Sequence, residues 1–290
     1  MGDAQLTGKI ELDFQNGGRE SRAVPRYRHA YMQMAWGSQS LLIGQTWDLI
    51  SPLYPSVNAD TLMWNAGNLG DRRVQFRYSY APFQGLTFQA AMGLTGAVDS
   101  QDADSNGILD GEASTMPNFQ GRVGYNAPNN VVRLGAWSHF GREHTDTMFG
   151  GKNDFDSYSY GADYEVRFTA QASLRGEVWA GSNLSDFRGG IGQSFLTSTG
   201  KEIDSRGGWI ELGLRGGPYG FSTGYTMDSP KNGHVAGGAA TENRAWYVTN
   251  QFRLAPQITF GLDYLYWKTD LKGLNDGTDN RVNLYMIYGF

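Results

Sequence analysis

The last ten residues, Arg281-Val282-Asn283-Leu284-Tyr285-Met286-Ile287-Tyr288-Gly289-Phe290, put Val282, Leu284, Met286, Tyr288 and Phe290 on one face of an extended chain. A side-chain period of two is the mark of a β-strand. The same period runs through Tyr158, Tyr160, Ala162, Tyr164 and Val166, opposite Ser157, Ser159, Gly161, Asp163 and Glu165. Segments of roughly 9 to 11 residues with this alternation recur along the chain, separated by turn-rich stretches. A soluble sandwich would also alternate, with its apolar face inward, so the period alone does not say which face meets lipid.

Three observations point to lipid. Aromatic residues tip the apolar faces, as at Phe119, Tyr125, Trp246, Tyr264 and Tyr266, where interfacial girdles are expected. The opposite faces carry charges and glycines on nearly every strand, more polar groups than a dry core can satisfy, whereas a wet lumen satisfies them. Connections alternate between tight (Gly37-Ser38, 81–84, 126–129, 216–218, 254–257) and long (15–26, 48–70, 95–117, 141–154, 183–206, 227–242, 269–280). Short periplasmic turns and long extracellular loops have this rhythm.

Strands are predicted at 6–14, 27–36, 39–47, 72–80, 85–94, 118–126, 130–140, 156–167, 170–181, 208–216, 219–226, 244–254, 257–268 and 280–290. The prediction is an all-β fold, one transmembrane antiparallel up-and-down β-barrel spanning 1–290, of about fourteen strands. Sixteen is the alternative if 48–70 hides a hairpin. Even parity lets the first and last strands pair and removes exposed edges.

Composition narrows the function classes. With 40 glycines, 16 tyrosines and 15 phenylalanines the chain reads as all-β. No stretch approaches the ~18 apolar residues of a spanning helix. The absence of cysteine removes disulfides and thiolate chemistry, and a net charge of −5 with no basic patch argues against nucleic acid. Met1-Gly2-Asp3-Ala4 holds no charged-then-apolar leader. Outer-membrane lipid, including lipopolysaccharide, is the expected surrounding, in the outer membrane of a Gram-negative-type bacterium.

If apolar faces meet lipid, the lumen can be read from the other faces. Arg73, Arg77, Arg122 and Arg133 form an arc without an acid on its own strands. Glu11, Asp13, Asp163, Glu165, Glu177, Glu211 and Asp263 lie elsewhere on the wall, with Arg175, Arg215 and Arg253 near some of them. Arginines across from carboxylates create a transverse field, and guanidinium groups hold anions bidentately. The expectation is passive diffusion of small hydrophilic solutes with small organic anions favoured. The alternatives are arginines that merely pair with neighbouring acids, a substrate-specific channel, and a non-conducting structural or adhesive barrel.

Three loops stand out. The segment 48–70 combines Pro52 and Pro55 with Leu53, Tyr54, Leu62, Met63 and Trp64, an apolar load unusual for an exposed loop. It can constrict the mouth, latch onto a neighbouring subunit or pack on its own rim. Residues 102–112 resemble an aspartate-rich calcium loop: Asp102, Asp104, Asn106 and Asp110 supply oxygens, Gly107 the turn and Ile108 a carbonyl. Ala113 stands where such loops carry a twelfth-position acid, so Glu112 is the candidate in its place. The bland reading is an acidic surface loop. A structural calcium ion is therefore expected only there, and no cofactor for transport. Catalysis needs a base beside a nucleophile or water. Of His29, His139, His144 and His234, only His144 with Asp146 fits a rim site, and an enzyme is not expected.

Several segments resemble the DcaP-like family of outer-membrane porins: Gly8-Lys9-Ile10-Glu11-Leu12-Asp13-Phe14, Arg28-His29-Ala30-Tyr31, Gly44-Gln45-Thr46-Trp47 and Arg73-Val74-Gln75-Phe76-Arg77-Tyr78. The resemblance implies a trimeric diffusion porin for small organic anions, with Arg73 and Arg77 touching the solute. The chain is short for that family and counts to fourteen strands where the family has sixteen. The closing Tyr288-Gly289-Phe290 looks like the C-terminal aromatic signal of barrel assembly.

Overall fold

Two-residue turns set the hairpin register. Trp36 pairs with Gln39 across Gly37-Ser38, and Gly37 takes the left-handed φ of +54° that a primed hairpin turn requires. The computed structural model describes residues 4–14, 25–58 and 62–290. Its strands are β1 (Gln5–Phe14), β2 (Pro25–Trp36), β3 (Gln39–Trp47), β4 (Arg72–Phe83), β5 (Leu86–Gly93), β6 (Asn118–Asn126), β7 (Val132–Phe149), β8 (Lys152–Arg167), β9 (Ala172–Ser182), β10 (Phe195–Leu196), β11 (Lys201–Glu202), β12 (Asp204–Gly216), β13 (Tyr219–Pro230), β14 (Ala240–Ala255), β15 (Ile258–Leu271) and β16 (Gly277–Tyr288). A short helix, α1, covers Asp110–Ala113.

Fourteen of these strands form one antiparallel meander in which each follows its neighbour, from β1 to β16, and β10–β11 is a separate small hairpin inside the loop after β9. The fold is the predicted transmembrane β-barrel of fourteen strands. Among the described residues the segment 48–70 adds no hairpin to that sheet, and the count of fourteen stands over the sixteen-strand alternative. Among the described residues no register joins β1 to β16, so their pairing stands as the expectation set by even parity.

The faces are inverted relative to a soluble sandwich. Large apolar side chains point outward, with Ile10 76% and Leu284 79% exposed, while Gln75, Asp163, Glu177, Thr226 and Asp263 are buried inside. Lipid must therefore supply the apolar medium for the outer face.

Three expected loops are shorter than predicted. Residues 141–154 belong largely to β7 and β8, which turn at Gly150 and Gly151, both with positive φ. The strands at 227–230 and 240–243, and at 268–271 and 277–280, likewise extend into segments expected to be loops. Their outward residues are polar because they rise above the membrane. The pairs Arg142–Asp156 (2.8 Å) and Lys268–Asp270 (2.9 Å) sit on such extensions. Polarity there marks height, not irregular backbone.

Candidate functional site: the filled lumen

The chain leaves β3 at Trp47 and turns into the barrel. Its apolar residues need a surface, and the wall supplies two. Val57, Met63 and Ala66 pack on Ala245, Tyr247 and Leu265 of β14 and β15. Ile50 and Leu69 join Trp137 and Trp179 of the wall, together with Leu184 and Phe187 from the loop after β9. The described parts of the segment, 48–58 and 62–71, therefore pack inside the barrel against its far wall as an internal constriction, which decides among its three readings.

Polar bonds fix the crossing, and several of them use carboxylates of the far wall. Glu177 accepts the Leu53 amide at 2.7 Å and the Ser51 hydroxyl. Glu211 accepts the Ser56 amide at 2.7 Å and its hydroxyl at 2.8 Å, and Tyr247 donates to it at 2.6 Å. Asp263 accepts the Asn58 amide at 2.6 Å. Gly67 lies so close to the wall, at φ +116°, that a Cβ would stand 2.3 Å from the Gly208 carbonyl oxygen; its own carbonyl accepts the Trp179 indole N–H at 2.8 Å.

This crossing corrects part of the expected solute surface. Glu177, Glu211 and Asp263 are buried beneath the segment, so they anchor it and do not meet solute. Arg73 is also buried, held by Asp48 at 2.8 Å and Asp186 at 2.6 Å, with Phe187 under its guanidinium at 4.1 Å. Both acids come from loops, which is why a reading of strands alone found the arginine arc free of acids. Burial pushes the Asp186 carboxyl up from its ordinary value while Arg73 pulls it down.

Other expected lumenal residues are paired, and apart from Asp163 they keep some exposure. Arg122 meets Asp163 at 2.7 Å, and Glu165 holds Arg133 at 3.3 Å and Arg167 at 3.1 Å. Arg175 binds Glu211 at 2.7 Å. On the opposite wall Glu11 is held by Lys9 (2.6 Å) and Arg28 (2.8 Å), and Asp13 by Arg26 (2.6 Å) and Arg28 (3.0 Å). Arg26 and Arg28 escaped the sequence reading because a β-bulge opposite Glu11 and Leu12 shifts the register of β2, whereas Lys9 shares the inward face of Glu11 and Asp13 and was overlooked. Arg77 bonds Gln75 Oε1 at 2.9 Å and the Trp47 carbonyl, with no acidic partner. Arg215 and Arg253, on inward faces and exposed, also lack an acidic partner among the described residues.

Two spaces flank the crossing segment. One of 390 Å³ lies at the end of the short turns, lined by Gln89, Arg122, Arg133, Asp163 and Glu165, with Pro52 and Leu53 above it. The other, 160 Å³, lies between the segment and β3–β4, lined by Trp47, Tyr54, Asn68 and Arg77. Trp47 and Tyr54 stack there at 6.3 Å.

The histidines form no rim site of the expected kind. His144 faces Asp154 at 2.9 Å, whereas Asp146 accepts from Asn106. His139 lies between Ser159 (2.5 Å) and Ser157 (3.0 Å), but all three are buried under Phe187 inside the barrel.

In the loop 102–112 the carboxylate oxygens of Asp102, Asp104 and Asp110 come within 4.8 Å of one another, a hard-oxygen donor set that suits calcium. The Thr147 amide holds the Asp104 carboxyl below its ordinary value, and burial raises that of Asp110. Asn106 and Ile108 close the turn, with the Ile108 amide on Asn106 Oδ1 at 2.7 Å. Glu112 lies in α1 outside the carboxylate group, contrary to its expected place as a ligand, because the helix carries it past the turn.

A wall that is apolar outside and charged inside, crossed by an internal segment, defines a transmembrane β-barrel with the architecture of the porins it resembles. Among solved structures the chain is similar to the outer-membrane channel DcaP of Acinetobacter baumannii, with a TM-score of 0.84 and 16% identity over 100% of this chain and 82% of that one. It is also similar to OmpF of Salmonella typhi (TM-score 0.71, 13% identity, 99% and 86% covered) and to an anion-selective porin from Comamonas acidovorans (TM-score 0.65, 13% identity, 100% and 86% covered). Comparison of the sequence with family models and with curated proteins finds no match. The resemblance to DcaP read from four short segments holds at the level of the whole fold.

Proposed function

We infer that the barrel is a passive channel for small hydrophilic solutes and that it favours small organic anions. One observation carries the preference. The crossing segment covers Glu177, Glu211 and Asp263, while among the described residues Arg215 and Arg253 are exposed and Arg77 is half-buried, none of them with an acid in ion-pair contact. The other acids expected in the lumen, Glu11, Asp13, Asp163 and Glu165, are held by arginines and a lysine. The uncompensated field is therefore positive, and it draws anions while weak, multi-site contact lets them leave. The similarity to a porin described as anion-selective supports the same reading.

Replacing Arg77, Arg215 and Arg253 together by glutamine tests it. The expected outcome is a shift of the zero-current potential in a potassium chloride gradient toward potassium, with conductance retained. An unchanged potential contradicts the assignment. A homotrimer is the assembly the DcaP-like resemblance implies, and light scattering of the detergent-solubilised protein measures it. Calcium in the loop 102–112 is a separate proposal resting on its three gathered carboxylates. It predicts that calcium raises the thermal midpoint of the wild type and leaves Asp104→Asn unaffected.

A further inference from the structure

The inward face of β4 carries Arg73, Gln75 and Arg77 in succession, and the amide between the two arginines is 1% exposed. Its partners on the neighbouring strands are Gly44 and Gly93, so no side chain crowds it from either side of the sheet. The two arginines meet different surroundings. Arg73 reaches the loop acids Asp48 and Asp186, whereas Arg77 stands between Leu42 and Ala91 and finds no carboxylate in ion-pair contact among the described residues. Asp48 is occupied by Arg73 at 2.8 Å and by Gln120 at 2.7 Å.

Gln75 supplies the acceptor instead. Its Oε1 accepts from Arg77 Nη2 at 2.9 Å and from Nε at 3.2 Å, and the Trp47 carbonyl takes a further bond from Nη2. Its Nε2 donates to the Thr46 and Trp47 carbonyls, both at 3.1 Å, where the chain leaves β3 for the crossing segment. A neutral amide matches both sets of partners, because it joins an acceptor for the guanidinium to a donor for the carbonyls. An ionised carboxylate in its place would have no proton to give those carbonyls, and a cation would repel Arg77. These bonds occupy one edge of the guanidinium. Nη1 is left without a partner among the described residues, on a side chain that lines the 160 Å³ space with Trp47, Tyr54 and Asn68.

We propose that Gln75 is a positioning residue for ion selectivity: it holds the Arg77 guanidinium by its Nε and Nη2 edge against the root of the crossing segment, leaves its charge uncancelled, and so presents Nη1 to passing anions. This role rests on the reading of the barrel as an anion-favouring channel. A fixed guanidinium with one free edge makes a weak, oriented contact with a solute, which suits conduction better than the two-point grip of a free one. Arg73 and Arg77 thus differ in what clamps them: two acids cancel the first charge, and an amide leaves the second in force.

The test uses the full chain refolded in detergent, with two readouts. Phenylglyoxal labelling of Arg77, mapped by peptide mass spectrometry, reads the freedom of the guanidinium, and the zero-current potential in a potassium chloride gradient reads its charge. Gln75→Met is expected to speed labelling of Arg77 about tenfold, since hydrogen bonds to a charged donor are lost, and to shift the potential toward potassium. In the Arg77→Gln background the same substitution is expected to leave the potential where Arg77→Gln alone puts it, a coupling that a purely structural role of Gln75 would not produce. Gln75→Glu is expected to keep labelling slow and to shift the potential as far as Arg77→Gln does, because it holds the guanidinium and neutralises it. Heat-modifiable gel mobility reports folding, and should Gln75→Glu not fold, Gln75→Met and the double variant decide. Unchanged labelling in Gln75→Met, equal shifts by that substitution with and without Arg77, or a wild-type potential in Gln75→Glu overturns the proposal. A silent wild-type membrane counts against the channel reading, and labelling then still decides whether Gln75 clamps Arg77.

Discussion

Arg73 shows how a single residue separates wall from pore. Two carboxylates and a ring enclose it, so its charge stabilises the junction of segment 48–71 with the loop after β9 rather than meeting solute. Arg73→Met leaves Asp48 and Asp186 buried without a counter-charge, and the expected loss is about 3–5 kcal/mol, measured by urea unfolding in detergent. Arg77→Gln, two residues away, leaves unfolding nearly unchanged and lowers anion preference. Equal effects of the two on selectivity would contradict the division of labour. The sequence reading could place both side chains inward from the period of β4. It could not tell them apart, because Arg73's partners lie 25 and 113 residues away on loops whose path no local pattern reveals.

At the scale of elements, the segment after β3 determines how much lumen remains. Three carboxylate anchors and two apolar clusters hold its described parts against the far wall. Glu211→Gln weakens the bonds to Ser56 and Arg175 together and is expected to raise single-channel conductance and its noise. Met63→Ala empties a fully buried position and is expected to cost about 2–5 kcal/mol of the segment's docking, read as greater protease sensitivity within 48–71 while the barrel stays intact. The apolar load of this segment was legible in the sequence; its destination was not. Hydrophobicity says that a loop must be covered, and only the fold says by what. Strand ends were misread for a related reason: outward residues of β7, β8 and β15 turn polar above the membrane, and a polar stretch without strict apolar alternation resembles a loop.

For the whole molecule, the alternation quoted at the C-terminus, the rhythm of turns and the strand count carried over directly, because a membrane barrel must satisfy every backbone group within the sheet and present apolar side chains to lipid. The balance of charge inside did not carry over. It emerges from which acids the crossing segment covers, and it turns a lumen that reads as mixed into one with uncompensated arginines. The most direct test is single-channel recording of the wild-type protein in a planar bilayer under a potassium chloride gradient. The account predicts discrete open steps with a zero-current potential of the sign set by chloride. A silent membrane, or a potential set by potassium, would contradict it.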